Sequence, residues 1–279
     1  MRQRARRTTG IWLIGLVAVA IAGCGAGTNL ANLPVTASAL AHPPKGCTRH
    51  LVYASLGPTS AKMVALSFDD GPSPETEGLF KTLLRYHVPG TFFMIGERVS
   101  ALMEHRGGAR LLREMVDHGM EIGNHSYNHP RDLPAEGEGA SLQLELTNRE
   151  IERASGGFDP CLFRPPYGNL TPELVQRAKV LGLTTVKWDV DPEDWRHPGV
   201  STIRERVLAN TMPGSIVVMH DNIETDGQTA KALPSIIEGL KARGYHLVTI
   251  TQLLDDGFLE HRPARHPGRL NAPVRSTGE

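Results

Sequence analysis

Leu66-Ser67-Phe68-Asp69-Asp70-Gly71-Pro72 is the stretch on which the reading of this chain turns. An apolar run, Met63 to Phe68, carries two adjacent carboxylates into a Gly-Pro turn. Successive strand residues point to opposite faces, but where a strand ends in a turn, both neighbours can swing toward one site. Two carboxylates so close repel each other. A cation removes that cost and leaves one carboxylate as base while the other ligates. The same residues also suit a plain turn with a helix cap behind it, so the decision rests on what the rest of the chain supplies.

Downstream, Ser73-Pro74 reads as a helix N-cap with proline at the first helical position, and Leu79, Leu83 and Leu84 give that helix a core face up to His87. Thr91 to Ile95 reads as a strand and Leu111 to Asp117 as a short amphipathic helix that stops near Gly119. Next comes Asn124-His125-Ser126-Tyr127-Asn128-His129-Pro130. Histidines four apart fall on one face of a helical turn, where both imidazoles reach one ion; a surface pair has the same spacing. Pro130 keeps that turn short.

Leu142 to Ala154 reads as a helix ended by Gly156-Gly157. In Arg164-Pro165-Pro166-Tyr167-Gly168, two prolines stiffen the backbone where an arginine and a tyrosine project. Such a turn can offer backbone N–H groups to an oxyanion, or it can be structural. Thr171-Pro172 caps a helix to Leu181. Thr184 to Trp188 is a strand running into Asp189-Val190-Asp191-Pro192-Glu193-Asp194-Trp195, four acids between two tryptophans. An acid there can hold a histidine's tautomer and an indole can stack on a sugar; the alternative is a solvated acidic loop. A helix over Thr202 to Asn210 follows, then the apolar strand Ile216 to Met219, which ends in His220-Asp221-Asn222. Lys231 to Arg243 reads as a helix, His246 to Ile250 as a strand and Thr251 to Asp255 as a last short helix.

Strands and helices alternate some six or seven times, which argues for parallel βα units. The chemically interesting residues all follow strands: Asp69 and Asp70, His125 and His129, Arg164 and Tyr167, Asp194 and Trp195, and His220. In a (β/α) barrel these positions share one face, where active sites lie.

In this order the motifs resemble those of the polysaccharide deacetylases, the NodB-homology or carbohydrate esterase 4 family. The similarity runs from about residue 60 to 256 and takes in Ser67 to Gly71, His125 to His129, Arg164 to Tyr167, Asp191 to Trp195, and Val218 to His220. It implies an α/β fold, a distorted, incomplete (β/α) barrel of about seven parallel strands. It also implies a divalent metal, usually zinc, with cobalt, nickel and manganese as alternatives, held by Asp70, His125 and His129. Three protein ligands leave positions for water and for a substrate carbonyl. By the same resemblance Asp69 is the base and His220 the general acid, Arg164 orients Asp69, and Asp194 orients His220. The Tyr167 backbone N–H helps hold the oxyanion; Pro165, Trp195 and Val218 shape the sugar and acetyl pocket. Ser67 stands where threonine is usual and Val218 where leucine usually lines that pocket.

The expected activity is hydrolysis of N-acetyl groups on N-acetylglucosamine polymers, peptidoglycan or chitin-like. An O-acetyl esterase acting on acetylated xylan or similar glycans is the alternative. A catalytically dead carbohydrate-binding protein is disfavoured, because no base or ligand is missing.

The chain ends bear on location. Arg2, Arg4, Arg6 and Arg7 precede an apolar run from Ile11 to Ile21, eleven residues, too few to span a bilayer. Ile21-Ala22-Gly23-Cys24 resembles a lipoprotein lipobox, so residues 1–24 are expected to be an export signal with Cys24 lipidated; plain secretion is the alternative. Residues 25–55 read as a flexible tether, 56–260 as the catalytic domain and the Pro- and Arg-rich tail 261–279 as disordered. Cys47 and Cys161 then remain as a possible disulfide pair. Thirty basic residues balance thirty acidic ones, which argues against nucleic acid as a partner. The expected partners are a glycan polymer and, through the anchor, a membrane; a monomer is expected.

Overall fold

The computed structural model describes residues 53–57, 61–104, 108–221 and 225–260. The expected signal, Cys24, Cys47, most of the tether and the tail from His261 lie outside the described residues.

Eight strands form one parallel sheet: β1 (Tyr53–Ala54), β2 (Met63–Gly71), β3 (Thr91–Met94), β4 (Glu121–Asn124), β5 (Leu162–Phe163), β6 (Thr184–Val186), β7 (Ile216–His220) and β8 (His246–Val248). Their order is β1-β6-β5-β4-β3-β2-β7. β8 pairs with Met63–Ala65 at the start of β2, ahead of the point where β3 takes up pairing at Ser67. The sheet curls into an incomplete barrel, and the bridge Val190↔Val217 links the segment after β6 to β7 across the gap. Helices α1 (Thr76–Arg85), α2 (Gly96–Glu104), α3 (Gly108–Asp117), α4 (Glu138–Ser155), α5 (Pro172–Val180), α6 (Val200–Asn210), α7 (Gln228–Ala242) and α8 (Ile250–Glu260) connect and follow the strands.

Period-two alternation along β2 builds two cores. Val64, Leu66 and Phe68 pack among helical residues such as Leu79, Leu83, Leu233 and Ile237. Met63 and Ala65 belong with Phe93, Leu162, Val186 and Ile216 in a second cluster, joined by Ile250, Leu253 and Leu254 of α8. With both faces covered, β2 reads as a continuous apolar run. Each large buried side chain of this kind contributes about 1.5–3 kcal/mol, whereas a buried ion pair roughly breaks even against apolar replacements. The apolar layers therefore hold the barrel, and the polar residues at the strand ends are free to serve chemistry. Glu121 ties α8 to the barrel: it accepts hydrogen bonds from Thr91 Oγ1 (2.8 Å), the Thr251 N–H (3.2 Å) and the Thr251 hydroxyl. Burial pushes its carboxyl up.

The incomplete parallel barrel of about seven strands is as expected; among the described residues the sheet also takes in the two-residue β1, which lies inside the stretch expected to be a tether and pairs with β6. Several other expectations are corrected. α1 begins at Thr76, not at Ser73; the Ser73 hydroxyl instead accepts the Glu75 N–H (2.9 Å) in a turn. α2 follows β3 after Ile95, a helix the sequence pattern does not predict. Residues 125–129 are not a helical turn, since Ser126 and His129 adopt left-handed φ of 65° and 55°.

Candidate active site

The two adjacent carboxylates reach one site through a bulge rather than a terminal turn. Pairing of β2 with β3 slips between Asp69 and Gly71, and Asp70 takes a left-handed φ of 73°. A bulge re-aims one side chain. It puts Asp70 beside the histidines although its neighbour Asp69 already faces inward. Gly71 is required sterically: a Cβ there would lie 2.5 Å from Asp221 Oδ2 and 2.9 Å from Met94 Sδ.

Asp70, His125 and His129 bring one carboxylate oxygen and two imidazole nitrogens within 4.8 Å of one another. Asp70 Oδ1 is 3.3 Å from His125 Nε2 and 3.2 Å from His129 Nε2. His125 Nδ1 lies 2.7 Å from the Arg164 carbonyl. A carbonyl only accepts, so Nδ1 carries the proton and Nε2 presents its lone pair to the site. Burial, reinforced by the His125 charge, pulls the His129 imidazole down to about 4, so it is neutral and ready to ligate. Asp70 is held well below the carboxylate range: its burial opposes this, and the imidazoles of His125, His129 and His220 around it prevail. An anionic oxygen and two neutral imidazoles suit a borderline divalent ion such as zinc.

Asp69, 3% exposed, sits 3.9 Å from His125 Nε2 and accepts a 2.7 Å bond from Arg164 Nη1. Arg164 is fully buried. The same Nη1 donates to Ser67 Oγ (2.8 Å), Nη2 donates to the Lys187 carbonyl (3.2 Å), and the guanidinium lies 4.1 Å from the Phe93 ring centre. Burial lowers the Arg164 pKa, while Asp69's charge and hydrogen bond resist. Pro165 and Pro166 are buried, and Tyr167, half-exposed, adopts a left-handed φ of 57° with its ring 4.7 Å from that of His129.

On the opposite wall, His220 Nδ1 donates to Asp194 Oδ1 (2.7 Å), which fixes the tautomer and leaves Nε2 for the site. Asp194 also accepts the His220 N–H (2.7 Å), the Thr229 hydroxyl (2.6 Å) and the Trp195 N–H (3.0 Å). Burial works against a charged His220, but Asp194 and the charges of Asp69 and Asp70 outweigh it and raise its pKa to about 9. Val218, two residues back on the same face, is buried; Trp195 is 45% exposed with Arg196 over its ring. The other acids of this loop serve structure: Asp189 accepts from Ser215 Oγ and the Ile216 N–H, Asp191 from the Glu193 N–H, and Glu193 from Arg206.

All the predicted site residues thus gather at the C-terminal ends of the strands, apart from the cysteines. Cys161 lies below them; it is disulfide-bonded, with its partner outside the described residues. Sequence reasoning missed Ser67 as a hydrogen-bond partner of Arg164, Arg98, whose Nη1 donates to the Asp70 carbonyl at 2.5 Å, and Asp221. Ser67 and Asp221 adjoin motif residues, a usable signal; Arg98 sits in an unremarkable helix and gave none.

Comparison with known proteins agrees with this geometry. Residues 56–186 match the family model described as Polysaccharide deacetylase. The peptidoglycan-N-acetylglucosamine deacetylase of Bacillus cereus is 36% identical over 200 residues, covering 71% of this chain and 90% of that one. The chain belongs to the polysaccharide deacetylase family. Other members of this family that it resembles include the chitooligosaccharide deacetylase of Sinorhizobium fredii, 36% identical over 70% of this chain and 93% of the relative. The peptidoglycan-N-acetylmuramic acid deacetylase PdaC of Bacillus subtilis is 38% identical over 69% of this chain, which spans only 38% of PdaC. Among solved deacetylases, the Bc1960 peptidoglycan N-acetylglucosamine deacetylase superposes with a TM-score of 0.68 at 31% identity, covering 74% of this chain and 94% of that one. The incomplete parallel barrel is therefore the family's fold.

Proposed function

We propose that the protein is an exported, metal-dependent polysaccharide deacetylase that hydrolyses N-acetyl groups on N-acetylglucosamine polymers, peptidoglycan or chitin-like. The observation that carries this reading is the Asp70, His125 and His129 donor set with Asp69 beside it, 3.9 Å from His125 Nε2. A divalent ion held by those three, zinc by the chemistry of the donors, would supply the Lewis acidity that activates water and polarises the acetyl carbonyl.

Asp69 takes the proton of the attacking water, and the Arg164 bond keeps it aimed. The Tyr167 backbone, in its left-handed turn, offers an N–H to the developing oxyanion. An amine leaves poorly unless protonated. His220, held by Asp194 and charged at neutral pH, donates that proton from Nε2. Trp195 and Val218 border the sugar and the acetyl methyl, with Pro165 stiffening the turn between Arg164 and Tyr167. The basic start, apolar run and Cys24 support export with a lipid anchor on the outer face of the membrane.

The test is acetate release from peptidoglycan fragments, chito-oligomers and acetylated xylan, with and without chelator. Metal-dependent release from either amide polymer is the expected result. Release from xylan alone would move the assignment to an O-acetyl esterase, and none from any substrate by metal-loaded protein would reject catalysis.

A further inference from the structure

Asp221 follows the proposed acid His220 at the end of β7, is fully buried, and has no part in the chemistry above. Because neighbouring residues at a strand end face opposite ways, its side chain turns away from the site, toward the segment that follows Asp70. There its two oxygens meet two hydroxyls, and its backbone adds a third bond, to Asp69. Thr76 Oγ1 donates to Asp221 Oδ2 at 2.7 Å, and Ser73 Oγ donates to Asp221 Oδ1 at 3.0 Å. The Asp221 N–H donates to the Asp69 carbonyl at 2.7 Å. Gly71 packs so closely on Oδ2 that a Cβ would stand 2.5 Å from it. Both hydroxyls are themselves fixed: Thr76 Oγ1 accepts the Ser73 N–H (2.7 Å) and Ser73 Oγ accepts the Glu75 N–H (2.9 Å).

Between Gly71, whose carbonyl accepts the Ile95 N–H (2.7 Å) at the end of β2, and Thr76, residues 72–75 have no regular structure of their own. The chain here runs from the left-handed Asp70 through Pro72 to the start of α1. A non-glycine residue in that backbone region persists only when its surroundings over-determine it. Arg98 supplies one constraint, on the Asp70 carbonyl. Glu75 Oε2 accepts a bond from Thr225 Oγ1 (3.1 Å), and the side-chain bonds of Ser73 and Thr76 converge on Asp221. We propose that Asp221 is a positioning residue: it clamps residues 71–76 to the end of β7 and so sets where Asp70 stands relative to His125, His129 and His220. Burial pushes its carboxyl up to about 8, and an amide of the same shape keeps one acceptor oxygen for these hydroxyls.

The inference rests on the proposed deacetylase reading for its kinetic part only, and zinc affinity tests it separately. Zinc binding by chelator competition, and kcat and KM on a chito-oligomer, are measured for Asp221→Ala, Asp221→Asn, Thr76→Val and the Ala/Val double variant. Asp221→Ala is expected to weaken zinc about tenfold or more, as loss of a supporting hydrogen bond does. It should also lower kcat while leaving KM within about twofold, since the clamp does not touch substrate. Asp221→Asn should recover most of both losses, and the double variant should lose clearly less than the sum of the two singles, because the singles share the Thr76–Asp221 bond. Should Asp221→Ala fail to fold, Thr76→Val removes the same bond from the other side and must show the zinc loss. Wild-type zinc affinity in Asp221→Ala, or additive losses in the double variant, would overturn the clamp. Weakened zinc binding in a protein whose wild type releases no acetate would leave the clamp standing and reject the deacetylase reading.

Discussion

Asp69 and His220 are paired residues in the parallel register of β2 and β7. The proposed base and acid therefore stand side by side on adjacent strands, about 4.8 Å apart along the hydrogen-bonding direction. Each is gripped from outside that pair, Asp69 by Arg164 and His220 by Asp194. The two sides of the reaction centre are thus set by one register, and substitutions on either side should separate cleanly.

Asp69→Asn should lower kcat by roughly 10²–10⁴, the range for loss of a general base, while zinc affinity stays near wild type because Asp69 is not a donor. His220→Ala should cost a similar factor on an N-acetyl substrate and much less on an O-acetyl ester, whose alkoxide leaves more easily. Equal losses on amide and ester would remove His220 from the role of acid. Steady-state kinetics on a matched amide and ester pair reads both.

Arg164→Ala strands the buried Asp69 carboxylate, which should destabilise the fold by about 3–5 kcal/mol in urea unfolding. Arg164→Lys should rescue little, because one ammonium cannot keep the planar contacts to Asp69, Ser67, the Lys187 carbonyl and the Phe93 face together. Near-complete rescue of activity by lysine would mean that charge alone matters there.

His220 carries a raised folded pKa, near 9 against 6.5, so its pairing with Asp194 adds stability that is full below about pH 6.5 and fades as pH climbs through about 9. In metal-free protein the advantage over His220→Asn should therefore be largest at pH 6, at most roughly 3 kcal/mol, and absent above pH 10. Thermal melts of the two proteins from pH 6 to 10 check it; a constant gap would contradict the pairing.

Gly71→Ala should be far worse than an ordinary glycine substitution. The added methyl meets Asp221 Oδ2 at 2.5 Å, so either the clamp or the Asp70 bulge must shift. The expected outcome is a soluble protein with lowered melting temperature and weakened zinc binding; unchanged zinc affinity would show that the bulge tolerates displacement.

Much of this site was legible in the sequence because (β/α) topology converts position after a strand into position on a face. Asp69, His125, Arg164 and His220 needed only that rule. What local pattern cannot carry is backbone conformation that tertiary contacts impose. The helical turn expected for His125 to His129 is a left-handed loop, its N–H groups taken by the Asn124, Ser126 and Gln143 side chains. The bulge at Asp70 is likewise a property of β2 pairing with β3. β1 is two residues long and has no periodicity to read; only β6 beside it makes it a strand. Arg98 and Asp221 act on backbone and hydroxyls across long sequence gaps, which no spacing reveals.

The central claim is that one divalent cation sits among Asp70, His125 and His129 with Asp69 alongside. Anomalous diffraction at the zinc edge from crystals grown with zinc tests it most directly. The expected result is a single strong peak at about 2.0–2.2 Å from an Asp70 oxygen and one nitrogen of each histidine, with Asp69 close by but outside that ligand set. A peak elsewhere, or none at saturating zinc, would contradict it.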